Sequence, residues 1–232
     1  MPTVLLVRHG RTDANSAAVL AGRMPGVGLD RVGRAQARSL ADRLAGVRLA
    51  AVVSSPLERC LETAGALTSQ QGRPGLQVDD RLTECDYGDW TGRPLAVLAR
   101  RKLWKIVQAH PSAATFPGGE SLRSIQARAV EAVRSRDARV AADAGPNAVW
   151  AAVSHGDVIK AVVADALGLH LDLFQRLVVD AGSVTIVRYA DLRPFVIRLN
   201  DTGGDLSGLR RRAGKGGRPS SDAMVGGTAG TT

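Results

Sequence analysis

Two histidines and two arginines of this chain stand where buried strands are expected to end. Arg8-His9-Gly10 follows the apolar run 4–7, and Ser154-His155-Gly156 follows another at 148–153. Arg59 falls in the first turn of the helix expected after a strand at 49–53. Parallel strands bring such junctions to one sheet edge, so residues distant in sequence converge in the crevice where open α/β sheets bind ligands. The chemistry that uses this set is phosphoryl transfer to histidine. A phosphate ester carries about two negative charges at neutral pH. Arg8 and Arg59 can fork onto its oxygens, each charge-assisted bond being worth roughly 1.5–3 kcal/mol. A neutral His9 can attack phosphorus in line, giving a phosphohistidine that water later cleaves. His155, as a cation, can stabilise charge on the transferring oxygens. The leaving alcohol needs a proton, and Glu84 is the candidate acid. A partly desolvated carboxyl beside a phosphate dianion has its pKa raised by both effects.

Strands alternating with helices must position these groups. The apolar pattern predicts strands at 3–7, 49–53, near 77–78, 148–153, 183–189 and 195–200, the last two joined as a hairpin by a turn with Pro194. Helices are expected from an Asp30 cap to about Ala45, from a Ser55 cap with Pro56 at the first position, and over 94–108, 120–144 and 157–167. Residues 80–93 and 111–119 read as loops. The alternation implies an α/β layer fold with a mostly parallel sheet. Helix starts at Ser55 and Gly156 would aim amide donors and positive dipole ends at an anion. Gly10 and Gly156 would let backbone approach that anion closely. One domain is expected over 1–202. Residues 203–232 contain nine glycines and little that could form a core, so a disordered Gly-rich basic tail is expected there.

Composition narrows the classes of function. No apolar stretch reaches the ~18 residues of a membrane span, and no basic segment leading into an apolar one marks export. Two cysteines, Cys60 and Cys85, make no disulfide framework in 232 residues. A reducing, cytoplasmic location is therefore the expectation. The net charge of +9 would suit nucleic acid, but arginine outnumbers lysine by 27 to 4, a bias that GC-rich coding gives. Five basic and two acidic residues fall in 203–232, which leaves +6 on the rest. With eight aromatic residues in the whole chain there is no sign of a platform for stacking bases. Neither nucleic acid nor a membrane is an expected partner. Ala66 and Thr91 stand where a Cys-x5-Arg loop would need arginine, and no metal cluster at ligand spacing is visible. Metal-free, cofactor-free histidine chemistry is what remains.

Six segments carry these residues in one order. They are Arg8-His9-Gly10 with Thr12, Asn15, Gly33 and Gln36; Ser54-Ser55-Pro56-Leu57-x-Arg59 with Thr63-Ala64; Leu82-x-Glu84; Gly88-x-Trp90-x-Gly92; Pro117-Gly118-Gly119-Glu120-Ser121; and Ser154-His155-Gly156. In this the chain resembles the histidine phosphatase superfamily, the phosphoglycerate-mutase-like proteins, over about residues 3–200. The resemblance implies a three-layer α/β/α sandwich with a mostly parallel mixed sheet. It makes His9 the nucleophile, Arg8, Arg59 and His155 the phosphate pocket, and Glu84 the proton donor. It adds Asn15 and the Gly156 backbone as groups that hold phosphate oxygens. Arg11 departs from the acidic residue often found after Arg-His-Gly in the family. Cys85-Asp86-Tyr87 departs from the more basic pattern with which a phosphoglycerate mutase commonly grips its substrate carboxylate, and this favours hydrolysis.

Each residue has a plainer alternative. A histidine after a strand is ordinarily a hydrogen-bonded structural group, Asn15 has the character of a cap, and Glu120 suits the start of a helix. Asp80, Asp86 and Asp89 compete with Glu84 as loop carboxylates. His110 and His170 carry no motif, and Trp90 and Trp104 suit packing. The reading is a phosphomonoesterase acting through phospho-His9 on a small phosphorylated metabolite. The alternatives are a phosphoglycerate-type phosphomutase, which shares every pocket residue but must shield its phosphoryl group from water, and a non-catalytic phospho-ligand binder. The intact set of His9, Arg8, Arg59, His155 and Glu84 argues against the binder. A homodimer is left open, and the segment after Pro94 carries no readable substrate code.

Overall fold

The apolar, non-alternating sequence of residues 4–7 is that of a strand covered on both faces. In the computed structural model, which describes residues 2–69 and 72–204, it forms the inner strand β1 (Thr3–Arg8). The chain continues through α1 (Asp13–Ser16), α2 (Arg31–Arg43), β2 (Leu49–Ser54), α3 (Glu58–Thr68), β3 (Leu76–Val78), α4 (Leu95–Leu98) and α5 (Lys102–Ala109). It ends with α6 (Leu122–Ala144), β4 (Val149–Ser154), α7 (Gly156–Ala166), β5 (Val184–Tyr189) and β6 (Pro194–Asp201). The sheet order is β3-β2-β4-β1-β5-β6. β3, β2, β4 and β1 run parallel, while β5 and β6 add as an antiparallel hairpin.

Two apolar layers flank this sheet. On one face Leu40 and Ala41 of α2 and Cys60, Ala64 and Leu67 of α3 pack on Leu5, Val7, Val52 and Val153. On the other, α6, α7 and the segment 82–116 pack on Val4, Leu6, Val53, Trp150 and Ala152. The result is a three-layer α/β/α sandwich with a mostly parallel mixed sheet. The tail expected from 203 onward lies, apart from Gly203 and Gly204, outside the described residues. Among the described residues no helix is long and apolar enough to cross a membrane.

Three local expectations change. The helix expected over 94–108 breaks into α4 and α5. Leu98 and Val107 are both buried in the same core cluster, yet in one continuous helix they would stand about half a turn out of phase. The break lets both face inward. Ser55 is not a helix cap: α3 begins two residues later with Leu57 in the cap position and no side-chain cap bond. The helix expected from 120 starts at Leu122, where the Ser121 hydroxyl caps by accepting from the Ser124 amide. The Asp30 cap is as expected, with its carboxylate accepting from the Gly33 amide at 2.7 Å.

Candidate active site

The register of β1 on β4 builds the centre of the site. Arg8 pairs with Ser154, so the residues that follow, His9 and His155, emerge side by side with ring centroids 5.2 Å apart at 61°. Arg59 comes from the first turn of α3, and its Nε donates to His9 Nε2 at 3.3 Å. All four groups are buried. The Arg8 guanidinium donates through Nη1 to the Val179 carbonyl at 2.7 Å, and Arg59 Nη2 donates to the Gly22 carbonyl at 2.7 Å. Arg59 Nη1 is buried with no hydrogen-bond partner among the described residues. An unmade bond on a buried cation is costly, and an anion at this point would make it.

His9 Nδ1 lies 2.7 Å from the Gly10 carbonyl oxygen. That bond holds the proton on Nδ1 and leaves the lone pair on Nε2, where Arg59 Nε donates to it at 3.3 Å. Burial first, then the charges of Arg59 and Arg8, hold the His9 imidazole well below its usual pKa. Neutrality is what an attacking histidine requires. His155 is driven down in the same way, by burial, Arg59, His9 and Arg8. The cationic role expected of His155 concerns the site with phosphate bound, where a dianion would oppose these effects. Its Nε2 is 2.8 Å from Ser55 Oγ and 3.4 Å from Cys60 Sγ. Burial pushes the Cys60 thiol up to about 12, so it is no thiolate nucleophile.

Glu84 is buried on the loop between the 3-10 turns Asp80–Leu82 and Gly88–Trp90. Its Oε1 accepts from the Cys85 amide at 2.9 Å. Its own carbonyl is gripped by Arg23 Nε at 2.9 Å and Arg128 Nη2 at 3.2 Å. Burial, then the negative charge of Asp157, raises the Glu84 carboxyl to about 7 against the opposing Cys85 amide, Arg59 and Arg8. Glu120 behaves in the opposite way. Burial pushes it up, but hydrogen bonds from Arg128 and the Asp86 amide, with the charges of Arg128 and Arg23, hold it below the usual range. Instead of starting a helix, Glu120 ties Arg23 and Arg128 together at 2.9 Å each.

Other motif residues hold the loop after β1. Arg11 pairs with Asp30 at 2.7 Å, Gln36 accepts from the Arg11 amide at 2.8 Å, and Thr63 Oγ1 accepts from the Gly10 amide at 3.1 Å. The backbone approach required at Gly10 is to protein: a Cβ there would stand 2.4 Å from the Gly33 carbonyl, and one on Gly33 only 2.0 Å from that of Arg11. Asn15 Oδ1 accepts from the Thr12 amide and hydroxyl at 3.1 and 3.0 Å, closing a capping box on α1. Only its Nδ2 remains to meet a phosphate. Gly156 begins α7, immediately after His155.

Sequence reasoning did not single out Asp157, Lys160 or Gln175, which join Tyr87 of the Cys85-Asp86-Tyr87 segment in a buried polar group held by hydrogen bonds and one ion pair. The i, i+3 spacing of Asp157 and Lys160 was the available signal. Among the described residues no group of three or more His, Cys, Asp or Glu side chains could hold a metal ion.

Residues 4–202 match the model of the histidine phosphatase superfamily (branch 1). A bifunctional protein of Mycobacterium tuberculosis is 34% identical over 207 residues, covering 86% of this chain. The chain spans 54%, about half, of that relative's length. A glucosyl-3-phosphoglycerate phosphatase of Mycolicibacterium vanbaalenii is 32% identical over 172 residues, covering 73% of this chain and 76% of that protein. Among solved structures, YhfR of Bacillus stearothermophilus superposes with a TM-score of 0.78 at 29% identity, covering 87% of this chain and 98% of that one.

Proposed function

Since this chain belongs to the histidine phosphatase superfamily, branch 1, we propose that it is a phosphomonoesterase that hydrolyses a small organic phosphate through a phosphohistidine on His9. The observation that carries the proposal is the pairing of a neutral His9, whose Nε2 lone pair accepts only the 3.3 Å bond from Arg59 Nε, with the unpartnered Nη1 of the same arginine. A phosphate dianion completes both. Its oxygens take the bonds that Arg59 cannot make internally, and they favour protonation of His155, whose charge then opposes that of the transferring group. His9 Nε2 forms the N–P bond as the ester O–P bond breaks. Glu84 gives its proton to the leaving alkoxide and becomes a carboxylate. In the second half the carboxylate takes a proton from water, whose oxygen attacks phosphorus as the N–P bond breaks. Glu84 is thereby restored and orthophosphate is released.

The substrate class, a small phosphorylated metabolite, is supported by the relative named glucosyl-3-phosphoglycerate phosphatase. Asn15 Nδ2 and the Gly156 amide complete the proposed set of phosphate donors. The test is a rapid quench without acid, followed by peptide mapping. Phosphate on His9 is the expected result, and phosphate on serine, aspartate or cysteine overturns the mechanism. A panel of metabolite phosphates then identifies the substrate.

A further inference from the structure

Behind Glu84 lies a buried ion pair that the proposed steps do not use. Asp157, in the first turn of α7, is fully buried. The Tyr87 hydroxyl donates to its Oδ2 at 2.7 Å. The Lys160 ammonium, one helical turn on and also buried, lies 3.8 Å from its Oδ1 and donates to Gln175 Oε1 at 3.1 Å. Tyr87 sits three residues after Glu84 on the same loop and is packed edge-on against Phe116, ring centroids 4.9 Å apart. The Tyr87–Asp157 bond therefore ties the loop that carries Glu84 to the helix that starts at His155. Burial keeps the Tyr87 hydroxyl well above its usual pKa, so it stays a donor throughout the working pH range.

We infer that Asp157 is a positioning residue for the proton donor: anchored by Tyr87 and Lys160, it fixes the Glu84 loop on α7 and holds a buried carboxylate against that loop. The inference rests on the reading of Glu84 as general acid. Glu84 is faced by Asp157 and Lys160 from α7, Arg8 from β1, Arg59 from α3 and the Cys85 amide of its own loop. Arg23 and Arg128 hold its carbonyl rather than its carboxyl. The two arginines, the Lys160 ammonium and the amide favour the carboxylate, whereas burial and Asp157 favour the acid. In a dry interior a fixed charge acts with little screening, so the protonated state of Glu84 depends on that carboxylate staying in place.

The experiment uses the full chain and two readouts. One is kcat/KM against pH on an alkyl phosphate, and the other is the carboxyl 13C titration of Glu84, assigned by its loss in Glu84→Gln. Asp157→Asn is expected to move the alkaline limb and the 13C midpoint down by about one pH unit, the scale of a nearby buried charge. The alkyl rate then falls about tenfold at pH 8 and stays near wild type at pH 5. Tyr87→Phe, which keeps the charge but cuts the bond that anchors it, should move both the same way by less than Asp157→Asn does. If Asp157→Asn does not fold, the pair Asp157→Asn with Lys160→Met removes both ions together and is expected to shift the midpoint the same way by less, because the lost ammonium favoured the carboxylate. An unmoved midpoint in a folded variant overturns the inference. So does a loss of alkyl activity at every pH without a shift, because Asp157 would then hold the loop and leave the proton of Glu84 untouched. A limb absent from Glu84→Gln but unmoved in Asp157→Asn rejects the inference alone. Equal losses of Glu84→Gln on alkyl and aryl phosphates reject the acid assignment beneath it.

Discussion

Replacing Glu84 with glutamine separates a proton donor from a bystander. Glutamine keeps the size of the side chain and an oxygen for the Cys85 amide, and it removes only the acidic proton. A carboxyl at the ordinary 4.5 would be protonated in roughly 0.3% of molecules at pH 7, whereas one at about 7 is protonated in about half. Burial and Asp157 thus raise the supply of donor at neutral pH by roughly 150-fold. An alkoxide is a poor leaving group and needs that proton, but a nitrophenolate departs without it. Glu84→Gln should therefore slow alkyl phosphates by roughly 10²–10⁴-fold, the usual range for general acid catalysis, and an aryl phosphate far less. The assay is kcat/KM, which reports through formation of phospho-His9 even when its hydrolysis limits kcat. The sign of the pH dependence follows, since the donor must be protonated. On alkyl substrates the wild type should lose rate about tenfold per unit above pH 7, and the variant should show no such limb. Equal losses on both substrates would refute the reasoning, and Asp86 and Glu120 would be the carboxylates to test next.

His9→Ala should abolish turnover while leaving the urea midpoint near wild type, and residual phosphoenzyme in that variant would move the nucleophile elsewhere. Acid stability should have an unusual slope. Between pH 6 and 5 unfolding lets His9 and His155 take up two protons, because both are held well below 6.5 in the fold, and releases one from Glu84. The two opposed effects predict a loss of stability on acidification that is steeper in Glu84→Gln, which has no proton to release. Urea titrations at pH 6 and 5 decide it, and an unchanged slope in the variant counts against a protonated Glu84. Gly33→Ala should cost roughly 1–3 kcal/mol by overpacking and lower activity, because its Cβ would stand 2.0 Å from the Arg11 carbonyl on the loop after His9. A neutral Gly33→Ala would mean that the loop moves freely against α2.

What could be read from the sequence was whatever local pattern determines. Residues 4–7 and 149–153 are apolar throughout because both faces of those strands are covered, and the strand-end positions of His9, Arg59 and His155 followed from that. What could not be read depended on partners brought from elsewhere in the chain. Ser55 has every local mark of a helix cap, with proline after it, yet its hydroxyl is spent on His155, 100 residues away. The break between α4 and α5 answers to a core that no single helix could reach with both Leu98 and Val107. Gly10 looked open to a ligand, and only the position of Gly33 shows that protein backbone fills that space. Desolvation of Glu84 was foreseeable from its proposed role, but its second cause, Asp157, lies 73 positions on and joins it only through the fold. One register would have recovered much of this. With Ser54 opposite Val153 in adjacent parallel strands and the Ser55 amide donating to the Val153 carbonyl at 2.9 Å, the side chains just beyond those strand ends share one small volume. A serine, two histidines and an arginine crowded there, away from water, must be satisfied by each other, by nearby carbonyls or by an anion.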